Sequence, residues 1–109
     1  MKASIAIQVL PQVGDKEELI RIVDEVIAYI QSTGLRYEVG PFETAIEGDD
    51  IDQLMDIAKE CQKVAARAGA PEVCTYIKVD YEPEGEVLTI DRKISKYHQK
   101  EGFFPPSRT

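Results

Sequence analysis

Two kinds of hydrophobic repeat alternate along this chain, and their order constrains its fold more than any other feature. From Lys2 to Leu10 the period is two: Ala3, Ile5, Ile7 and Val9 point one way, and Lys2, Ser4, Ala6 and Gln8 the other. That is the pattern of a strand with one apolar face, ended by Pro11 and Gly14. The repeat then becomes helical. Leu19, Ile22, Val23, Val26, Ile27 and Ile30 form one stripe behind Asp15, with Glu18 at capping-box spacing. Gly34 suits the left-handed residue after the helix. Two short strands follow, 35–40 and 42–47, joined tightly enough at Gly40-Pro41 to pair as a hairpin. A second capped helix starts at Asp50, with Gln53 three residues on, and Gly69-Ala70-Pro71 stops it. Its apolar face is rich in alanine, which suits close approach to a sheet. A long strand, 72–81, comes next, then a turn at Glu82-Pro83-Glu84-Gly85. Residues 86–90 read as a fifth, edge strand, 91–97 as a short helix and 102–109 as an extended tail.

The order is therefore β-α-β-β-α-β. Right-handed crossovers place both helices on one face of the sheet. The expected fold is α+β: a ferredoxin-like split sandwich with a short C-terminal extension. Residues 1–96 would form one domain and 97–109 its tail. The other sheet face is then left bare, carrying Ser4, Ala6, Gln8, Leu10, Cys74, Tyr76, Lys78 and Asp80. A semi-polar face of that kind is expected to meet another copy of the chain, sheet to sheet or edge to edge. Polar groups at such a junction are shielded from water, which suits a ligand site.

Composition narrows the function classes. The 109 residues fit one domain, and the net charge is −7. Nucleic acid is excluded as a partner, because phosphate binding needs clustered cations on one face. No apolar run reaches membrane-spanning length, so no membrane insertion is expected. The N-terminus lacks a leader pattern, and the two cysteines, Cys61 and Cys74, are too few for a disulfide framework. Both read as buried small hydrophobes in a cytoplasmic protein. Neither a metal site nor a cofactor motif is present. The acidic run Glu47, Asp49, Asp50, Asp52 and Asp56 lacks calcium-loop spacing and reads as favourable charge at a helix N-terminus. Arg92, Lys93, Lys96 and Lys100 make a basic C-terminal segment, either solvated or docked on an acidic patch.

The segment from Pro41 to Gly48 is chemically the densest. Thr44 can donate and accept hydrogen bonds, whereas ionised Glu47 only accepts. That mixture suits an aminopyrimidine, and Phe42 or Tyr76 could stack on a flat ring. A strict period of two puts Thr44 and Glu47 on opposite faces; a bulge near Gly48 would bring them together. Lys78 and Asp80, two apart on the last strand, form either a pair that orients a ligand or a structural pair. His98 is the only histidine and has no partner at useful spacing.

Three blocks of this sequence resemble the UPF0045 family of thiamine-binding-protein-like domains. They are Ser4-Ile5-Ala6-Ile7-Gln8-Val9-Leu10-Pro11, Pro41-x-x-Thr44-x-Ile46-Glu47-Gly48 followed by Asp49, and Thr75-x-Ile77-Lys78-x-Asp80-Tyr81. The resemblance implies a ferredoxin-like fold, assembly as a homotetramer, and non-catalytic binding of thiamine or its hydroxymethylpyrimidine part. Thr44 and Glu47 match the family block directly; Ser4, Lys78 and Asp80 match in position. Together with Phe42 and Tyr76 they are the expected ligand-binding residues, on the sheet near a subunit interface. Two rivals stand beside this reading. One is a regulatory or adaptor module whose assembly a small ligand tunes. The other is a small enzyme using Glu47, Asp80 or His98 as a proton shuttle.

Overall fold

The computed structural model describes residues 1–98. Its elements are β1 (Ala3–Pro11), α1 (Lys16–Ser32), β2 (Arg36–Val39), β3 (Thr44–Gly48), α2 (Ile51–Arg67), β4 (Val73–Tyr81) and α3 (Ile90–His98). The four strands form one antiparallel sheet in the order β2-β3-β1-β4. With α1 and α2 on one side, this is the expected α+β split sandwich.

Local chemistry sets the element ends. The Asp15 carboxylate accepts from the Glu17 N–H at 3.1 Å, and Asp50 does the same for Asp52 at 2.9 Å. Each satisfies one of the N–H groups that a first helical turn leaves without a partner. The reciprocal half of the expected capping box is not formed at α1, because Glu18 turns along the helix to Arg21. Gly34 adopts φ +79, the left-handed conformation that stops α1.

The core lies between the helices and one sheet face. Ile5 and Ile7 of β1 and Ile46 of β3 meet Ile22, Val26 and Ile30 of α1. Leu54, Ile57, Ala58, Cys61 and Ala65 of α2 close it. The small side chains of α2 let that helix settle onto β1, as its composition implied. Full burial of an isoleucine such as Ile22 contributes roughly 1.5–3 kcal/mol.

The remaining chain departs from expectation. Residues 86–90 do not form a fifth strand. The Val87 N–H donates to the Met1 carbonyl, and Val87 and Ile90 are buried. Burying both residues turns the chain across the open sheet face instead of along its edge. Helix α3 then starts at Ile90, with the Thr89 hydroxyl accepting from the Arg92 N–H at 3.1 Å. The face expected to be bare is therefore partly roofed by the chain's own third helix. The expected C-terminal tail lies, from Gln99 on, outside the described residues. Cys61 is buried as expected, but Cys74 is exposed. It sits opposite Leu10 at the end of the face that α3 does not cover.

Candidate functional site

β3 decides the geometry of the site. It pairs with β1 in unbroken register from Ala3↔Gly48 to Ile7↔Thr44, so no bulge intervenes. Directly opposed residues share a face. Thr44, opposite the core residue Ile7, lies on the helix side. Glu47, opposite Ser4, lies on the open side. The two residues do not share a pocket.

On the helix side is a partly open cleft of about 260 Å³, between α1, the end of β1 and the β2–β3 turn. Its apolar wall is the half-buried flank of the α1 stripe, Leu19, Val23 and Ile27, together with Val39. The six-residue stripe of α1 is wider than the core needs, and the surplus faces this cleft. Pro41, Phe42 and Thr44 supply the opposite side, and the end of β1 runs past them with the Gln8 and Leu10 side chains on the open face. Thr44 is only 8% exposed, and its hydroxyl has no hydrogen-bond partner among the described residues. The hydroxyl is not sealed off: the only fully enclosed side-chain polar atom without a partner among those residues is Thr75 Oγ1. Phe42, 78% exposed, stands at the rim.

On the open side a second cleft, of about 360 Å³, lies between the sheet and α3. Ser4, Lys78 and Asp80 line it. Lys78 and Asp80 do not pair with each other. Lys78 Nζ reaches Glu43 at 2.8 Å, and Lys93 of α3 reaches Asp80 at 3.9 Å. Glu47, 4% exposed, accepts the Ile90 N–H at 2.8 Å. Its carboxylate satisfies the start of α3, where a negative charge also complements the helix dipole. Tyr76 is 66% exposed, opposite Gln8 on the uncovered part of the face.

The structure thus divides the expected set. Phe42 and Thr44 stand at one cleft, and Ser4, Lys78 and Asp80 at the other. Glu47 holds α3, and Tyr76 stands apart. Sequence reasoning left out the α1 flank, for which the width of the α1 stripe was the only signal.

A family model described as thiamine-binding protein matches residues 5–98, nearly all of the described chain. The chain belongs to the thiamine-binding protein family. A UPF0045 protein of Clostridium perfringens is 44% identical over 94 residues, which are 86% of this chain and 95% of that one. Among solved structures, a Bacillus cereus domain of unknown function, DUF77, superposes with TM-score 0.76 at 39% identity, covering 89% of this chain and 90% of that one. A Thermotoga maritima protein, provisionally assigned to thiamine biosynthesis or salvage, gives TM-score 0.76 at 35% identity, over 89% and 99% of the two chains. Within this family frame, the Pro41-to-Gly48 block that carries the resemblance is also the block that lines the helix-side cleft and, through Glu47, anchors α3. Among the described residues, no helix is long and apolar enough to cross a membrane, and no cluster of side chains could hold a metal ion.

Proposed function

We propose that this protein binds thiamine or a related hydroxymethylpyrimidine, without transforming it, in the cleft between α1 and the β2–β3 turn. One observation carries this reading. Thr44 has a hydroxyl with no partner in the described chain, set in the wall of an apolar cleft. A nearly buried hydroxyl that has no protein partner and still opens on the cleft is placed to pair with a molecule held there. An aminopyrimidine offers both an amino donor and ring-nitrogen acceptors, and the Thr44 hydroxyl can both donate and accept. The α1 flank packs one ring face, and Phe42 at the rim is placed to stack against a second ring or a thiazolium cation. The net charge of −7 favours approach of a cation. The family's name and the provisional role of the Thermotoga relative point to the same ligand class.

The protein is read as a cytoplasmic homo-oligomer, a tetramer on the family pattern. β4 supports self-association, being a nine-residue edge strand with Val79 and Tyr81 exposed on one face and Tyr76 on the other. Calorimetry with thiamine and with hydroxymethylpyrimidine tests the ligand. Heat and thermal stabilisation are expected with at least one, and the absence of both at millimolar concentration sinks the assignment. Thr44→Ala should weaken binding by about 1 kcal/mol, roughly fivefold, and Thr44→Ser should restore most of it. An unchanged affinity in Thr44→Ala removes Thr44 from the site.

A further inference from the structure

The cleft on the open sheet face has a different chemistry. Its floor is made of three small side chains, Ser4 and Ala6 of β1 and Ala45 of β3, with Ala6 directly opposite Ala45. Its roof is Ile90 and Ile94 of α3. Small residues beneath a helix leave a slot where larger ones would have filled it. Ser4 is 7% exposed, and its hydroxyl has no partner among the described residues. This is a second nearly buried hydroxyl without a protein partner among the described residues, on the face opposite Thr44.

The rim carries charge in opposed couples. Lys78 is held by Glu43 at 2.8 Å, Glu38 by Arg36 at 3.5 Å, and Lys93 stands 3.9 Å from Asp80, the longest of the three. A ligand of net charge entering such a rim would leave one member of a couple without its counter-charge, a modest loss on side chains this exposed. A zwitterion offers an ammonium to a carboxylate and a carboxylate to an ammonium, so it can insert between the members of the loose couple and leave both satisfied. The floor and roof are apolar and would pack an aliphatic body.

We infer that the slot between the sheet face and α3 is a second small-molecule site, for a small zwitterion with an apolar body, the class of the aliphatic amino acids. Its ammonium meets Asp80, its carboxylate meets Lys93, and the Ser4 hydroxyl supplies a further hydrogen bond. Because Lys93, Ile90 and Ile94 all belong to α3, the ligand also ties that helix to the sheet. The site is independent of the thiamine reading, since it lies across the sheet from the first cleft.

Calorimetry on the full chain with L-leucine as the probe tests this. 3-Methylbutylamine carries the same body with only the positive charge, and 4-methylpentanoate with only the negative. L-leucine is expected to bind, with each singly charged analogue about fivefold weaker, as loss of one exposed charge pair implies. Ala6→Leu should fill the slot and abolish binding. Asp80→Asn, on an exposed side chain that cannot threaten folding, should weaken it about fivefold or more. Amide exchange of α3 should slow in the presence of L-leucine. No heat from L-leucine at millimolar concentration overturns the proposal, as does an amine that binds as well as the amino acid. Leucine binding lost in Thr44→Ala but kept in Ala6→Leu and Asp80→Asn also overturns it, by placing the ligand in the first cleft. Thiamine binding that survives Ala6→Leu but fails in Thr44→Ala keeps the first reading whatever leucine does.

Discussion

Glu47 shows how a residue can match a family block and still act locally. Its carboxylate is buried on the open face, where it accepts the Ile90 N–H. Glu47→Ala should therefore destabilise the protein by about 1–3 kcal/mol, the cost of an unsatisfied buried group, read from urea unfolding. Thiamine affinity should stay within about twofold, because Thr44 lies on the other face; a large loss of affinity would contradict the division of the site. Thr75 is the converse case. Its Oγ1 is enclosed without a partner among the described residues. Thr75→Val keeps the shape and removes the orphan, so it should raise stability by about 1 kcal/mol, visible as a higher urea midpoint. The two thiols should also separate. Burial pushes the Cys61 pKa up to about 12, so that thiol stays protonated and unreactive at pH 8. Cys74 is exposed. A disulfide reagent should titrate Cys74 alone in the native protein and both cysteines in denaturant; a second reactive thiol under native conditions would contradict the buried placement of Cys61.

At the scale of elements, α1 and α3 do more than complete the fold. The inner half of the α1 stripe, Ile22, Val26 and Ile30, is buried in the core, and its flank walls a cleft. Substitution along one helix should accordingly separate stability from binding. Ile22→Ala should cost about 2–5 kcal/mol through the cavity it leaves. Val23→Ala, at a half-buried position in the cleft wall, should cost less stability and weaken thiamine binding. Equal losses of stability at the two positions, measured by thermal or urea unfolding, would mean that the flank belongs to the core. α3 is short, and it is fastened by Glu47, by Arg36 to Asp91 at 2.7 Å, by Lys93 to Asp80 at 3.9 Å, and by buried Val87 and Ile90, among other contacts. Its mostly exposed residues predict that it opens before the sheet does. Amide exchange in α3 should be faster than in β1 or α2, and Ile90→Ala should widen that gap.

For the whole molecule, the sheet order β2-β3-β1-β4 leaves two edges, of which β4 is the longer. Sedimentation should show an assembly larger than one chain, and Tyr81→Lys on that edge should reduce it; a monomer in the parent would remove the tetramer reading. Ligand-dependent change in subunit number would favour the regulatory alternative. Much of this architecture was legible in the sequence. The alternation of β1, the capped stripes of α1 and α2, the tight hairpin and the long final strand each follow from spacing and local chemistry. Right-handed crossovers then leave one sandwich to build. Period two put Thr44 and Glu47 on opposite faces, but only the unbroken pairing of β3 with β1 ruled out a bulge that would join them. What the sequence could not determine is what meets across space. Residues 86–90 have a composition fit for a strand, yet they cross the open face because Val87 and Ile90 find burial there and Glu47 supplies an acceptor for Ile90. Lys78 and Asp80 share a face by spacing, but Glu43 on a neighbouring segment and Lys93 on α3 took them as partners. Local order follows from period, caps and turns, which are properties of neighbours along the chain. The two clefts are formed by side chains from separate elements, so only the packed fold could say which hydroxyl was left without a partner and which carboxylate was not.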